Sequence, residues 1–385
     1  MTKENRTFVT TLRDRLAEKS PRIQVLIGPR QVGKTTALKE VLNNQGIYKT
    51  ADYPTPLNSE ILIDWWREAE KSKVKLLAVD EVQKITNWSE TVKYLWDSSK
   101  DMKLILTGSS SLQVEKGLKE TLAGRFEIIR AEHWNLSEAK KIFNLNDKQY
   151  IEFGCYPGSV SLLNDISRWA SFIRDSIVEP AIGRDLMQIH PIENPALMRQ
   201  IFGIAVGQPA QLVSLQKLQG SLQEKGTVPT IGHYLRLLSE AFLVSGIQKY
   251  SSVQVRVRKS IPKLIVHDNA LCRAFERPVE EGLSSEKFGR YFENIIGARF
   301  IEAGWDVYYW KHRNLEVDFV VIGPEKQKWA IEVKSSKSTN AELKGVKEFC
   351  RQYADFIPCL ISLENQTFDG IKSISYQDVL SLSRK

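Results

Sequence analysis

A chain of 385 residues is too long for one ordinary core, so roughly two or three domains are expected. Hydrophobic residues at 42% and charged residues at 26% lie near the globular average, which excludes extended disorder, and no apolar run reaches membrane-spanning length. The formal net charge of +8 suits a polyanion such as DNA, because basic side chains displace counterions from phosphates, and it equally suits a plain solvated basic surface.

The opening Met1-Thr-Lys-Glu-Asn-Arg6 lacks the apolar core of a secretion signal. Cys155, Cys272, Cys350 and Cys359 lie far apart with no C-x-x-C pair, so neither a zinc ribbon nor a disulfide framework follows. A reducing, cytoplasmic setting is the expectation. The histidines, His133, His190, His233, His267 and His312, show no ligand spacing and read as surface or half-buried side chains.

In chain order, candidate strands come first at Ile23–Ile27, Ile47–Ala51, Lys75–Val79, Leu104–Thr107 and Phe126–Arg130. Helical stretches such as Lys34–Leu42 and Leu112–Leu122 separate them. This alternation predicts an α/β domain over residues 1–135, with a parallel five-stranded sheet covered on both faces. Trp65, Trp66 and Trp88 read as packing residues. A helical lid or linker is expected over 136–195, then a winged-helix-like domain over 196–278. In the latter, Ile231, Tyr234, Leu235, Leu238 and Phe242 recur at helical spacing behind a cap at Thr230. Strands Leu243–Tyr250 and Lys263–His267 follow, joined by a basic stretch with Arg256, Arg258 and Lys259. That stretch reads as a wing along a DNA backbone or as a charged hairpin tip without a ligand. The polar connector Glu280–Ser285 marks a last domain, 279–385, ordered helix (Glu286–Glu302), three strands (Asp306–Trp310, Leu315–Ile322, Trp329–Lys334), helix (Asn340–Gln352) and strand (Phe356–Ser362).

Two clusters carry chemistry. Gly28, Pro29, Arg30, Gln31, Val32, Gly33, Lys34, Thr35 and Thr36 fit G-x-x-x-x-G-K-[ST] between an apolar strand and an amphipathic helix. Glycines at both ends let the backbone curl so that successive N–H groups face a phosphate, and the helix dipole adds to the attraction. Lys34 is expected to bridge the β- and γ-phosphates of ATP, and the Thr35 hydroxyl to ligate Mg²⁺. Asp80 and Glu81 end the strand from Leu76, where Asp80 can hold the metal and Glu81 can polarise the attacking water. Thr107, Ser109 and Ser110 end the next strand, where a residue reading the γ-phosphate belongs. Arg125 reads as an arginine finger, in its own subunit or a neighbour's, or as a surface residue in a salt bridge.

In the last domain, period two puts Glu332 and Lys334 on one face of a strand, with Asp318 on the strand before and Glu293 on the preceding helix. Asp318 and Glu332 are candidate ligands for a second Mg²⁺ or Mn²⁺, and Lys334 and Glu293 complete a phosphodiester-cleaving set. The other reading is a solvated sheet face of alternating charge.

Gly28–Thr36, Val79-Asp-Glu81, Thr107-Gly-Ser-Ser110, Leu122-Ala-Gly-Arg125, Gly154-Cys-Tyr-Pro-Gly158, Ile261-Pro-Lys-Leu with Asp268, Glu293-Asn294, Glu316-Val-Asp-Phe319 and Ile331-Glu-Val-Lys334 together resemble bacterial and archaeal AAA-type ATP-binding proteins. Those end in a domain of unknown function with a PD-(D/E)xK, restriction-endonuclease-like fold. The resemblance implies an AAA-like P-loop NTPase core, a helical and winged-helix middle and a nuclease-like end, with ATP and Mg²⁺ as ligands. The expected function is ATP hydrolysis that repositions a DNA-associated nuclease-fold domain, with metal-dependent cleavage. The alternative is a nucleotide-gated DNA- or protein-binding regulatory module with an inactive nuclease fold. Self-association is expected if Arg125 serves a neighbour. The chain departs from the pattern at His133-Trp-Asn-Leu-Ser-Glu138, where a Pro-Leu-Ser type sequence is usual.

Overall fold

The computed structural model describes residues 6–19, 22–43, 45–55, 57–99, 101–108, 117–118, 120–186, 192–214, 216, 219–220, 224, 226–251 and 261–384. Ser109, Ser110, His190, Arg256, Arg258 and Lys259 lie outside these, as does part of the helix expected at Leu112–Leu122. The chain packs as two units, the first ending at Glu132 and the second beginning at His133.

In the first unit, helix α1 (Thr7–Ala17) precedes strand β1 (Ile23–Ile27), and the P-loop leads into α2 (Lys34–Leu42). Then come β2 (Ile47–Thr50), α3 (Glu60–Lys71), β3 (Leu76–Asp80), α4 (Trp88–Ser98), β4 (Lys103–Gly108) and β5 (Phe126–Arg130). The sheet is wholly parallel, in the order β2-β3-β4-β1-β5. All five residues of β1 are buried, as expected of a central strand covered on both faces. Trp65, Trp66 and Trp88 lie in the core beside Ile23, Val25 and Leu106. The strands expected from sequence stand within one residue at each end.

In the second unit, α5 (Leu136–Phe143) starts at Asn135, whose side chain accepts from Glu138 N while Glu138 reaches back to Asn135 N. This capping box explains the departure at residues 133–138: the local sequence encodes a helix start in place of a proline turn. Helix α6 (Asp147–Phe153) ends at Gly154, with φ 60°. A Cβ there would lie 1.6 Å from Asp268 Oδ1, so only glycine lets the carboxylate accept from Cys155 N (3.1 Å) and Ala270 N (2.8 Å). Further on, α7 (Val228–Glu240) is capped by Thr227, not Thr230: the Thr227 hydroxyl accepts from Thr230 N at 3.3 Å. The helix starts earlier than expected because Pro229 falls in its first turn, where a missing N–H costs nothing.

Strands β6 (Val244–Lys249) and β7 (Lys263–Val266) form the expected antiparallel hairpin, but it does not stand apart as a wing. Gln248 and Lys249 of β6 pair in parallel with Tyr308 and Tyr309. The hairpin thus extends one seven-stranded sheet, β12-β11-β10-β9-β8-β6-β7, in which β8 is Asp306–His312, β9 Leu315–Ile322, β10 Lys328–Lys334, β11 Ile357–Ser362 and β12 Lys372–Ser375. Pairing satisfies the outer edge of β8, which a free wing would leave open. Helix α8 (Ser285–Glu302) packs on this sheet so closely that a Cβ at Gly297 would meet the Phe319 ring at 2.6 Å. From the same helix, buried Asn294 accepts from Val266 N (2.9 Å) and donates to Val266 O (2.8 Å), closing the end of β7.

Candidate functional site

The P-loop lies at the carboxyl end of β1, the edge at which open parallel sheets bind ligands. Gly28 cannot carry a side chain, since a Cβ would come within 2.1 Å of Ala131 O. Gln31 and Gly33 take positive φ, 56° and 100°, which curls the loop. The N-cap of α2 is Gly33, which has no side chain to cap the helix N–H groups, as suits an external anion. Lys34 is buried and donates to the carbonyls of Gly28 (2.8 Å) and Pro29 (2.7 Å). Its charge sits inside the curl.

Asp80 is the hub of the acidic side. Its Oδ2 accepts from the Thr35 hydroxyl at 2.7 Å and from the Tyr48 hydroxyl at 2.9 Å, and its Oδ1 accepts from the Thr107 hydroxyl. Burial and the bond to Asp80 push the Tyr48 phenol up to about 12, so it stays a donor at neutral pH. Glu81 sits in a left-handed conformation (φ 56°) with Gln83 Nε2 donating to its Oε2 at 2.6 Å, and Glu81 N donates to Thr107 Oγ1 at 3.4 Å. Lys34, Thr35, Asp80, Glu81 and Thr107 therefore stand together. Among the expected cradle residues, Val32 is buried, and Gln31, Thr35 and Thr36 are less so.

Arg125 does not join them. It forms a bidentate pair with Asp97, Nε to Oδ1 at 2.7 Å and Nη2 to Oδ2 at 2.9 Å, and its carbonyl accepts from Ile23 N at the opposite end of β1 from the P-loop. Five residues at about 3.3 Å each separate these edges by about 16 Å, beyond the reach of its own subunit's loop. The finger reading within one subunit is overturned by topology.

Two residues without a motif signature support the loop or Asp80. Tyr48 is one. The other is Arg6, buried just before α1, which donates to Val32 O (3.0 Å) and Glu132 O (2.7 Å), tying the loop to the end of β5. Arg6→Met is expected to cost about 1.5–3 kcal/mol, read as a lower urea midpoint. An unchanged midpoint would show that the guanidinium contributes nothing.

In the second unit, Glu332 pairs with Lys334, while Glu293 and Asp318 stand beside a cation from β7. Lys263, 1% exposed, contacts Glu293 Oε1, lies 3.7 Å from Asp318 Oδ1 and donates to Asp318 O at 3.1 Å. Burial works against its charge, but Glu293 and Asp318 outweigh that and hold its pKa above the usual lysine value. Asp318 Oδ2 accepts from Val333 N at 2.9 Å. Burial and then Asp318 raise Glu293 to about 7 and Glu332 to about 9, although Lys334 Nζ lies 3.0 Å from Glu332 Oε1. The expected ligand set is not gathered about a metal position. Among the described residues, the group of three candidate ligand side chains that does converge is buried His133, His267 and Glu302.

That cluster corrects the surface or half-buried reading of His133 and His267, both of which are buried. Glu302 Oε1 accepts from His267 Nδ1 (2.6 Å) and His133 Nδ1 (3.2 Å), while Oε2 accepts from His133 N (3.2 Å). The outer nitrogens meet Tyr156 Oη at 3.2 Å and Ser245 Oγ at 2.7 Å. With Nδ1 assigned as donor in both rings, the partners close a complete network.

Residues 20–140 match the AAA domain family. Residues 146–284 and 288–382 match two domains of unknown function, DUF8612 and DUF4143. The first unit is thus an AAA-type, ATPase-like P-loop domain, a class that typically uses ATP and Mg²⁺. An uncharacterized Methanocaldococcus jannaschii protein is 26% identical over 338 residues, 80% of this chain and 73% of that one. An uncharacterized Haemophilus influenzae protein is 25% identical over 325 residues, 77% of this chain and 79% of that one. A single-substitution variant of Thermotoga maritima RuvB superposes with a TM-score of 0.31 at 13% identity over 62% of this chain and 85% of that one, which adds nothing to the assignment. Among the described residues, no helix is long and apolar enough to cross a membrane.

Proposed function

We propose that the chain binds ATP with Mg²⁺ in the P-loop and hydrolyses it, and that nucleotide state acts on the carboxy-terminal domain. The observation that carries the reading is the Thr35–Asp80 contact of 2.7 Å beside the buried Lys34 ammonium. It brings together a hydroxyl and a carboxylate of the kinds that would ligate Mg²⁺, next to the Lys34 ammonium, which supports the reading. Thr35 and Asp80 would hold the ion, which would supply charge neutralisation, and Lys34 would exchange its loop carbonyls for the phosphates. The backbone from Gly28 to Thr36 supplies further donors. Glu81, oriented by Gln83, draws a proton from the attacking water. Arg125, paired with Asp97, has only a neighbouring subunit's site left to serve, so self-association accompanies any finger role.

Glu81→Gln keeps the side chain's shape and removes the base. It is expected to retain ATP binding and to lower hydrolysis about 10²–10⁴-fold. The measurements are equilibrium binding of a fluorescent ATP analogue and phosphate release. Turnover equal to wild type would dismiss Glu81 as the base.

For the carboxy-terminal domain, the buried Lys263–Glu293–Asp318 contacts favour the second reading given above: a nuclease-like fold that binds DNA or a protein under nucleotide control without cleaving. An ammonium already neutralises the carboxylates that a cleaving ion would need.

A further inference from the structure

We propose that Ser245, His267 and Glu302 form a hydrolytic relay, with Ser245 as an acyl-transfer nucleophile in the wall of a cavity and an ester of an apolar carboxylic acid as its substrate. This activity is separate from the P-loop and from any binding of DNA or protein by the carboxy-terminal domain.

The relay is read from two bonds in series. Ser245 Oγ lies 2.7 Å from His267 Nε2, and His267 Nδ1 donates to Glu302 Oε1 at 2.6 Å. With Nδ1 as donor, Nε2 is left to accept the Ser245 proton, which is the tautomer a general base needs. Burial is graded along the series: Glu302 and His267 are 7% and 5% exposed, whereas Ser245 is half-buried. Burial opposes ionisation of Glu302, but His133 and then His267 hold it ionised. A fixed carboxylate there offsets an imidazolium formed on His267.

Ser245 opens on a cavity of about 470 Å³, a size suited to a small ligand. Leu235 of α7, Ile247 of β6, Ile301 of α8, Trp305 and Val307 give the cavity apolar walls, which suit an apolar acyl chain. Ser239 lies in the same wall, its Oγ 2.7 Å from Ser245 Oγ. Gly246 lines the cavity as well. Across the hairpin His267 N donates to Leu243 O, and bonding directions alternate along a strand, so Gly246 turns its N–H away from β7. Pairing of β6 with β8 starts at Gln248, two residues further on. A backbone N–H directly after the nucleophile is placed to meet a developing oxyanion.

Ser245 Oγ attacks the ester carbonyl carbon while its proton passes to His267 Nε2. Collapse of the tetrahedral adduct breaks the bond to the alcohol oxygen, which takes that proton as it leaves. Water, giving a proton to the same nitrogen, then displaces the acyl group, and the proton returns to Ser245 Oγ. One ester and one water yield one acid and one alcohol, with no other reactant.

The test uses the full chain without nucleotide, p-nitrophenyl butyrate as substrate and a fluorophosphonate as probe, with the modified residue located by peptide mass spectrometry. Wild type is expected to hydrolyse the ester and to carry the label on Ser245. Hydrolysis should fall about 10²–10⁴-fold in His267→Gln, which removes the base, and at least as far in Ser245→Ala, which should also take up no label. Circular dichroism checks both variants, and if either fails to fold, the labelled position in wild type decides alone. Folded wild type without label on Ser245, or labelled on Ser239 instead, would overturn the proposal. So would folded Ser245→Ala with turnover within about threefold of wild type. Phosphate release from ATP on the same wild-type sample reports on the P-loop independently of these outcomes.

Discussion

Lys34→Ala is expected to lower the proposed ATP turnover, with phosphate release falling about 10²–10³-fold and nucleotide binding weakening in parallel. The argument is geometric. Lys34 is buried at the start of α2, and its ammonium lies within the loop, held by Gly28 O and Pro29 O. Those two carbonyls are weak competitors for a cation that a triphosphate can take over. Arg6, also near the loop, already donates to Val32 O and Glu132 O, and Arg125 lies at the other edge of the sheet. Neither is arranged to replace Lys34. Removing the lysine also frees the carbonyls of Gly28 and Pro29, so a modest drop in thermal midpoint is expected alongside the loss of function. Steady-state phosphate release and binding of a fluorescent ATP analogue read the two effects separately. Turnover within about threefold of wild type on folded Lys34→Ala would refute the assignment of this loop.

The parts that sequence made legible are those whose chemistry is local. The P-loop needs glycine, lysine and a hydroxyl in consecutive positions, and Asp80 and Glu81 end a strand whose burial is written in its apolar run. Phase along a strand is also local, which is why Glu332 and Lys334 can be placed on one face of β10. Residues supplied from far away leave no such trace. Arg6 reaches Val32 across 26 residues and Glu132 across 126, while His133 and Glu302 are 169 apart. Lys263 stands in the Ile261-Pro-Lys-Leu run, but its bond to the Asp318 carbonyl, 55 residues on, leaves no local trace. The placement of the hairpin is hidden for a related reason. Its strands are legible, but the parallel pairing of Gln248 with Tyr308 is a tertiary event with no short-range signature. Arg125 is different, because its position is within reach of the sequence. A residue just before a parallel strand lies at the strand's amino end, and the P-loop follows its own strand at the carboxyl end.

The other large effect expected concerns stability. Glu302→Ala should cost about 3–5 kcal/mol, the range for removing one member of a buried charged network. Glu302 is 7% exposed and accepts from three donors on two histidines. Burial opposes its ionisation, but His133 and then His267 overcome this and hold the carboxyl well below the usual glutamate range. The sign follows from that depression. In the unfolded chain the group titrates near about 4.3, so the folded form binds fewer protons between that value and its own lower pKa. Its contribution is therefore fully present above about pH 4.3 and is lost as pH falls below it. Glu302→Gln preserves shape and one acceptor oxygen but removes the charge. The difference in urea unfolding free energy between wild type and Glu302→Gln should shrink as pH falls below about 4.3. A difference that is flat down to about pH 3 would mean that the carboxylate's charge does no stabilising there. The same helix end also donates from Arg299 Nη1 to His133 O at 3.1 Å. The backbone of His133 is thus held on both its N–H and its carbonyl by side chains one turn apart on α8. Alanine at 302 removes half of that grip together with the charge, whereas glutamine removes the charge alone. The gap between the two variants at neutral pH measures what the grip is worth.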